Sequence, residues 1–420
     1  GIRDSSVTGV QTCALPILSC QGSTTIATPR LDRLAQEGLR FTDAYSAAPF
    51  CSPSRAALLT GRLPVRAGLP YVLFPAEHHG LPSAEVTLAT LLKARGYATA
   101  CVGKWHLGWD EPFRPARHGF DEYLGLPYSN DSNEWPPGEP FMQVMGLQPL
   151  PLIDGERVVE APADQASLTR RYTERAVAFI RANRDRPFLL YLPHTMPHIP
   201  QYASPEFAGK SKGGLYGDTV EEIDASTGTI LDALRELGLD RDTVVFFTSD
   251  NGPANFSDPL REQYGHSSTG EWRGIKASLY EGGHRLPFIM TWPAFIKAGA
   301  KSDAYVGLTD FMATCAEITG FKLPDDAAED SFSLLPILKG TNGGRNVRST
   351  LVIQADAATD LALRVGSLKL ITGRGGPQLY DLAADPKETK DLAKERPEVV
   401  KEMTTQLDKI RADGRETPHR

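Results

Sequence analysis

The feature that most constrains this chain of 420 residues is a set of short, nearly continuous apolar runs at 97–102, 188–192, 243–248 and 286–292. A strand with one wet face alternates apolar and polar residues, whereas a strand apolar at every position is covered on both sides. Helical patterns at 28–38, 86–95, 166–183, 217–237 and 308–319 are interleaved with these runs. The interleaving predicts an α/β fold, with a large, mostly parallel sheet sandwiched by helices. Chemistry in such a sheet collects beyond the strand C-termini. Three polar clusters fall at those ends: Lys104 with His106, His194 with His198, and Asp250 with Asn251.

Local signals fix several elements. Thr28 is a plausible N-cap, Pro29 suits the first helical position, and Gly38 ends a helix whose buried stripe is Leu31, Leu34 and Ala35. Residues 41–45 then read as a short strand. The stretch 125–162 is rich in Pro, Gly and Asn and predicts long surface loops with at most a small hairpin, the kind of region that shapes a substrate rim. After a Gly/Asn-rich linker at 340–346 the pattern changes to four short strands (351–354, 361–365, 368–372, 378–382) and a charged helix at about 387–412. This predicts a small C-terminal antiparallel sheet plus one helix, and a division into an α/β domain, 18–345, that carries the polar clusters, and an α+β subdomain, 346–420.

Composition narrows the partners. A net charge of −7 without any basic block argues against nucleic acid. No apolar run is long enough to form an integral membrane segment. Five cysteines, at 13, 20, 51, 101 and 315, lack metal-ligand spacing, so neither zinc nor a disulfide scaffold is indicated.

The stretch from Pro49 to Arg62 begins as a turn and becomes a short helix stopped by Gly61, which places Cys51 at or near a helix N-terminus with Arg55 one turn on. On spacing alone this is either a core cysteine beside a solvated arginine or a reactive side chain in an oxyanion cradle. Lys104 and His106 share a face if the extended conformation continues past the strand. Otherwise they are a solvated lysine and a structural histidine. Asp250 and Asn251 suit either a hard divalent cation or an Asx-turn into Gly252.

Cys51-Ser52-Pro53-Ser54-Arg55 resembles the signature of type I sulfatases, of the alkaline-phosphatase-like superfamily, and matching pieces recur over about residues 18–412. They include Gly103-Lys104-Trp105-His106-Leu107-Gly108, the run from Leu192 to Pro200, Ser249-Asp250-Asn251-Gly252, and Gln378 to Leu382. The resemblance implies an alkaline-phosphatase-like fold and a sulfuric ester hydrolase acting on a sulfate monoester of a sugar or aryl alcohol. It implies that a separate maturation enzyme oxidises Cys51 to formylglycine, whose hydrate is the nucleophile. Arg55, Lys104 and Lys276 then surround the sulfuryl group, His106 meets the formylglycine hydroxyl, and His198 or Lys276 gives a proton to the departing alcohol. Ser129 matches a pocket serine. Asp250 and Asn251 supply two ligands of a calcium ion, ahead of Mg2+ or Mn2+. His194 is expected to pack or line the rim, and His266 and Arg273 to be ordinarily exposed. Export, to a periplasm or extracellular space in a bacterium, is implied as well. Phosphomonoester and phosphonate monoester hydrolases of the same superfamily are the alternative, and a catalytically silent binding homologue is a third reading.

That third reading comes from one departure. Residues 1–17 show no periodicity and no signal-peptide pattern, and resemble translated sequencing-adapter DNA, a contaminant of assembled metagenomic genes. This implies a replaced N-terminal segment. The family's other two calcium carboxylates, an Asp-Asp pair after the first strand, belong in this stretch. It holds only Asp4.

Overall fold

The computed structural model describes residues 5–11, 17–133, 149–254, 262–355 and 359–418. Strands β1 (Ser5–Gln11), β2 (Leu39–Tyr45), β3 (Ala98–Val102), β4 (Glu122–Gly125), β5 (Leu152–Asp154) and β6 (Arg157–Glu160) come first in the chain. They are followed by β7 (Phe188–Pro193), β8 (Thr243–Ser249), β9 (Arg285–Thr291), β10 (Ala300–Ser302) and β11 (Val306–Gly307). All belong to one sheet, ordered β10-β2-β9-β8-β1-β7-β3-β4-β5-β6, with β11 also beside β2. The centre, from β8 to β4, is parallel, while β9, β5 and β6 run against their neighbours. β10 and β11 also pair parallel with β2, so the expectation of a mostly parallel sheet holds, with antiparallel pairing at β9 and at the β4-β5-β6 edge.

The apolar runs are covered on both faces, as their composition requires. Along β7, Leu189 and Tyr191 enter one core, while Phe188, Leu190 and Leu192 enter the other. Along β8, Val244 and Phe246 are separated from Val245 and Phe247 in the same way. The first core is closed by helices α2 (Cys51–Thr60) and α3 (Leu88–Lys93), and by α6 (Asp310–Ile318). The second is closed by α1 (Pro29–Glu37), α4 (Leu168–Ala182) and α5 (Gly214–Glu236). Leu31 and Leu34 of the expected stripe are buried, and Ala35 is half-buried. Phe41, Phe288, Phe246 and Phe311 form a ring cluster in the first core, with centroids 4.6 to 6.5 Å apart.

The second sheet follows the expected pattern: β12 (Leu351–Gln354), β13 (Leu361–Val365), β14 (Leu368–Ile371) and β15 (Gln378–Asp381) are antiparallel in sequence order. One set of its side chains packs with α7 (Pro397–Asp413) and with Ala57 and Leu63; the other packs with Tyr45, Leu279 and Tyr305. Helix α7 is shorter than the expected 387–412. Glu388 takes a left-handed φ of 52°, and the Asp385 carboxylate caps the N–H groups of Thr389 and Lys390, so these residues turn until Pro397 opens the helix. Within 125–162, β5 and β6 form the small hairpin; residues 134–148 lie outside the described residues. Among the described residues no helix is long and apolar enough to cross a membrane.

Gly103 makes the turn out of β3. Its φ is 133°, and a Cβ there would lie 2.0 Å from the Pro193 carbonyl oxygen. The same carbonyl accepts the Lys104 N–H at 2.8 Å. Gly103→Ala is expected to lower the denaturant midpoint by an amount corresponding to about 2 kcal/mol or more, since rigid backbone must move. An unchanged midpoint in chemical unfolding would contradict this.

Candidate active site

Helix α2 is buried at every position, because it lies between the two sheets. Cys51 is its first residue, and Gly61 closes it at φ 68° with its N–H bonded to the Ala57 carbonyl. Arg55, one turn on, is no solvated residue: it is fully buried. Its Nε and Nη2 reach Asp250 Oδ2 at 2.9 and 2.8 Å, and its Nη1 donates to the Lys104 carbonyl at 2.6 Å. One side chain thus fastens α2 to the end of β8 and to the turn after β3.

Around Cys51 the expected residues converge. Lys276 Nζ lies 3.4 Å from Cys51 Sγ and 3.3 Å from His198 Nε2. Lys104 Nζ donates to Ser129 Oγ at 3.1 Å, and that hydroxyl lies 3.4 Å from the His198 ring nitrogens. The loop carrying Lys276 is pinned by its own backbone: Lys276 N–H donates to the Pro253 carbonyl, and Ala277 N–H to the Pro49 carbonyl.

The extended conformation that would put Lys104 and His106 on one face does not continue. His106 has a φ of 60°, a left-handed conformation that a residue with a side chain adopts only when its surroundings require it. Its Nε2 donates to the Leu73 carbonyl at 2.9 Å, which fixes the tautomer and leaves Nδ1 as a buried acceptor without a partner. His198 is fixed the other way round. Its Nδ1 donates to the Ile199 carbonyl at 2.6 Å, so Nε2 is the acceptor facing Lys276. His194 packs against Tyr172, as expected. Arg273 is exposed, also as expected, with its guanidinium over the Tyr280 ring. His266 is not: it is buried, bonded to Thr25 and Ser268, because α5 and the 17–28 segment close over it.

Electrostatics follow from burial among like charges. Burial would raise the Cys51 thiol, but Lys104, Lys276 and Arg55 outweigh it and lower the pKa to about 7. Burial, then Lys104 and Arg55, hold His106 well below the usual imidazole range. Burial, then Lys276 and Lys104, do the same to His198. Both rings are therefore neutral. Lys104 is lowered, by burial first, and Lys276 is raised: burial opposes the rise, and Cys51 and Asp250 produce it.

Among the described residues, Asp250 Oδ1 and Asn251 Oδ1 are buried acceptors without hydrogen-bond partners, and match a hard cation in kind. They do not match it in number. Calcium takes about six to eight oxygens, and no group of three or more acidic, His or Cys ligands occurs among the described residues. The other Asp250 oxygen is committed to Arg55. These residues alone do not make a calcium site.

A family model described as Sulfatase matches residues 11–321, and one described as N-sulphoglucosamine sulphohydrolase, C-terminal, matches 270–413. The chain belongs to the sulfatase family. It is 39% identical to steryl-sulfatase of Mus musculus over 77% of its length, and spans 63% of that relative. It is 38% identical to arylsulfatase A of Homo sapiens, covering 89% of this chain and 80% of the relative. A solved structure, described under the metabolism of multiple glycosaminoglycans by Bacteroides thetaiotaomicron, superposes with a TM-score of 0.86 at 30% identity. That match covers 98% of this sulfatase and 100% of the other chain. Sequence reasoning missed the carbonyls of Leu73, Pro253 and Pro49, since backbone acceptors leave no mark in composition. It also missed that Arg55 is an internal tie.

Two outcomes are expected. Asp250→Ala leaves Arg55 as an unpaired buried cation and should cost about 3–5 kcal/mol in chemical unfolding. The Cys51 thiolate should appear with a midpoint at about pH 7 in ultraviolet absorbance, read against Cys51→Ser, and Lys276→Met should move it upward. The sign for stability follows. The folded thiol is the stronger acid, so its contribution is complete above 9.0, the unfolded value, and is lost as pH falls through about 7.

Proposed function

We propose that this sulfatase hydrolyses a sulfate monoester of a sugar or aryl alcohol, with residue 51 supplying the nucleophile after oxidation to formylglycine. The observation that carries the reading is the placement of Cys51 Sγ 3.4 Å from Lys276 Nζ, on a helix N-terminus, with Lys104 completing a cationic pocket. Named relatives among the steryl- and arylsulfatases support the reaction class. Once formed, the hydrated aldehyde would offer one hydroxyl to attack sulfur and a second to expel sulfate afterwards, which a serine or cysteine adduct lacks.

The chain's own residues divide the remaining work. Lys104 and Lys276 balance charge on the sulfuryl oxygens as the bond to the alcohol breaks. Lys276, protonated and beside His198 Nε2, holds the proton closest to where the leaving oxygen departs, and His198 orients it by accepting a hydrogen bond. His106 Nδ1, neutral and without a partner, is the base available for the second hydroxyl. A sulfate monoester carries one negative charge, against about two for a phosphate monoester. The two lysines can balance either charge, so the choice of sulfate is supported by the named sulfatase relatives.

Maturation by a separate enzyme and export to a periplasmic or extracellular space belong to the same proposal and rest on family resemblance. Among the described residues, calcium, Mg2+ or Mn2+ would meet only Asp250 and Asn251. Calorimetric titration with Ca2+ is therefore expected to show binding no tighter than about 1 mM, the weak end of protein calcium sites. Submicromolar binding would reject this.

The activity test compares matched nitrophenyl sulfate and phosphate, after mass measurement of the peptide containing residue 51 has established the matured fraction. Sulfate should be preferred, and Lys104→Ala should lower kcat by about a hundredfold or more. A strong preference for phosphate in matured protein would reject the sulfate reading in favour of a phosphomonoester hydrolase.

A further inference from the structure

The loop that carries Lys276 ends in a buried charge cluster to which the small sheet contributes. Glu281, at the start of the single turn Glu281–His284, is fully buried. Its Oε2 accepts from the Tyr45 hydroxyl at 2.8 Å and from Arg285 at 2.9 Å. Its Oε1 accepts from Lys369 Nζ, on β14 of the small sheet, at 2.9 Å. Lys369 Nζ also reaches Glu388 Oε1 at 2.9 Å and lies 3.0 Å from His284 Nε2. Glu388 then returns to the loop at both ends. Its Oε2 accepts the Glu281 backbone N–H at 2.6 Å, and its carbonyl accepts from Arg273 at 2.7 Å. Asp43 completes the set by pairing with Arg285 and Arg364. Three cations, Lys369, Arg285 and Arg364, thus face three carboxylates, Glu281, Glu388 and Asp43.

None of these hydrogen bonds and ion pairs of the cluster reaches Cys51. What it fixes is the far end of the loop whose near end bonds Pro49 and Pro253. Gly282 N–H closes the loop on the Arg273 carbonyl at 2.7 Å, and Ala277, beside Lys276, holds a φ of 80°. Two carboxylates share the Lys369 ammonium. Without it, Glu281 and Glu388 would repel each other inside the protein and carry the turn apart. Burial alone would raise Glu281, yet Lys369, ahead of Arg285, holds it below the usual carboxylate range.

We propose that Lys369 of the small sheet is a positioning residue for Lys276: through Glu281 and Glu388 it holds the 273–283 loop where Lys276 Nζ lies between Cys51 and His198. The C-terminal sheet is then part of the active site's framework, although none of its residues meets the reacting atoms. The proposal rests on the reading that Lys276 holds the anion.

The test uses the full chain with Cys51 unconverted, and calorimetric titration with inorganic sulfate. Lys276→Met sets the reference loss. Lys369→Met should weaken sulfate binding by about tenfold to a hundredfold, the range for removing a group that orients a ligand-holding side chain. Near-ultraviolet circular dichroism should show native packing. If Lys369→Met does not fold, Glu388→Gln keeps the shape and the acceptor for the Glu281 N–H, and should show a smaller loss in the same direction. In matured protein the same variants should lower kcat for nitrophenyl sulfate more than they raise KM, which a purely structural weakening would not do. Folded Lys369→Met or Glu388→Gln with unchanged sulfate affinity, while Lys276→Met binds more weakly, would overturn the positioning role alone. If Lys276→Met also binds sulfate normally, the anion-holding reading fails and this proposal with it.

Discussion

The site depends first on the buried pair between Arg55 and Asp250. Taking both ions out of water is expensive, and their attraction offsets that cost only because the geometry is good and the guanidinium has a further acceptor in the Lys104 carbonyl. The return is not stability in itself. The pair joins α2, the end of β8 and the turn after β3, three segments far apart in sequence, at the point where their side chains must converge. It also leaves Lys104 and Lys276 without a carboxylate of their own, since Asp250 is already engaged. The pocket is thereby biased toward anions before any substrate arrives.

That bias explains the state of the histidines. Neutral imidazole is favoured wherever burial and nearby cations act together, and both act on His106 and His198. Each ring then has one donor and one acceptor, and a backbone carbonyl takes the donor in both. The acceptors are aimed by the backbone: Nε2 of His198 toward Lys276, Nδ1 of His106 into a buried position without a partner. The lysines that make the pocket cationic also keep both rings unprotonated, so one electrostatic arrangement sets both features.

Much of this was legible in the sequence, and the parts that were not share a cause. The apolar runs announce strands buried on both faces because every position must meet a core, and β7 and β8 alternate between two cores accordingly. The four short strands of the second sheet were readable because tight turns punctuate them. Cys51, Lys104, His198 and Lys276 were nameable through their family motifs, and the fold brings them together. Arg55 was nameable as a site residue through its motif, but its tie to Asp250, 195 positions away, was not, because residue type does not disclose a partner so distant in sequence. The same holds for Lys369 and Glu281, which are 88 positions apart. His106 turns left-handed and α7 starts late for conformational reasons, at His106 itself and at Glu388, which residue type alone does not disclose.

The first strand separates what a fold asks of its sequence from what a site asks. β1 lies between β7 and β8, pairing Ser6 with Leu189 and Val244, and Gln11 with Ser249. Parallel pairing is made by backbone N–H and C=O groups, so the ladder makes little demand on which side chains β1 carries. A divalent cation asks for something the backbone ladder does not provide: carboxylate side chains at fixed positions beyond the strand end. β1 ends at Gln11, level with Ser249, and Asp250 and Asn251 follow β8 with side-chain oxygens that have no hydrogen-bond partner among the described residues. The lysines and histidines around Cys51 come from strands and loops other than β1, so the anion pocket is assembled without that strand's side chains.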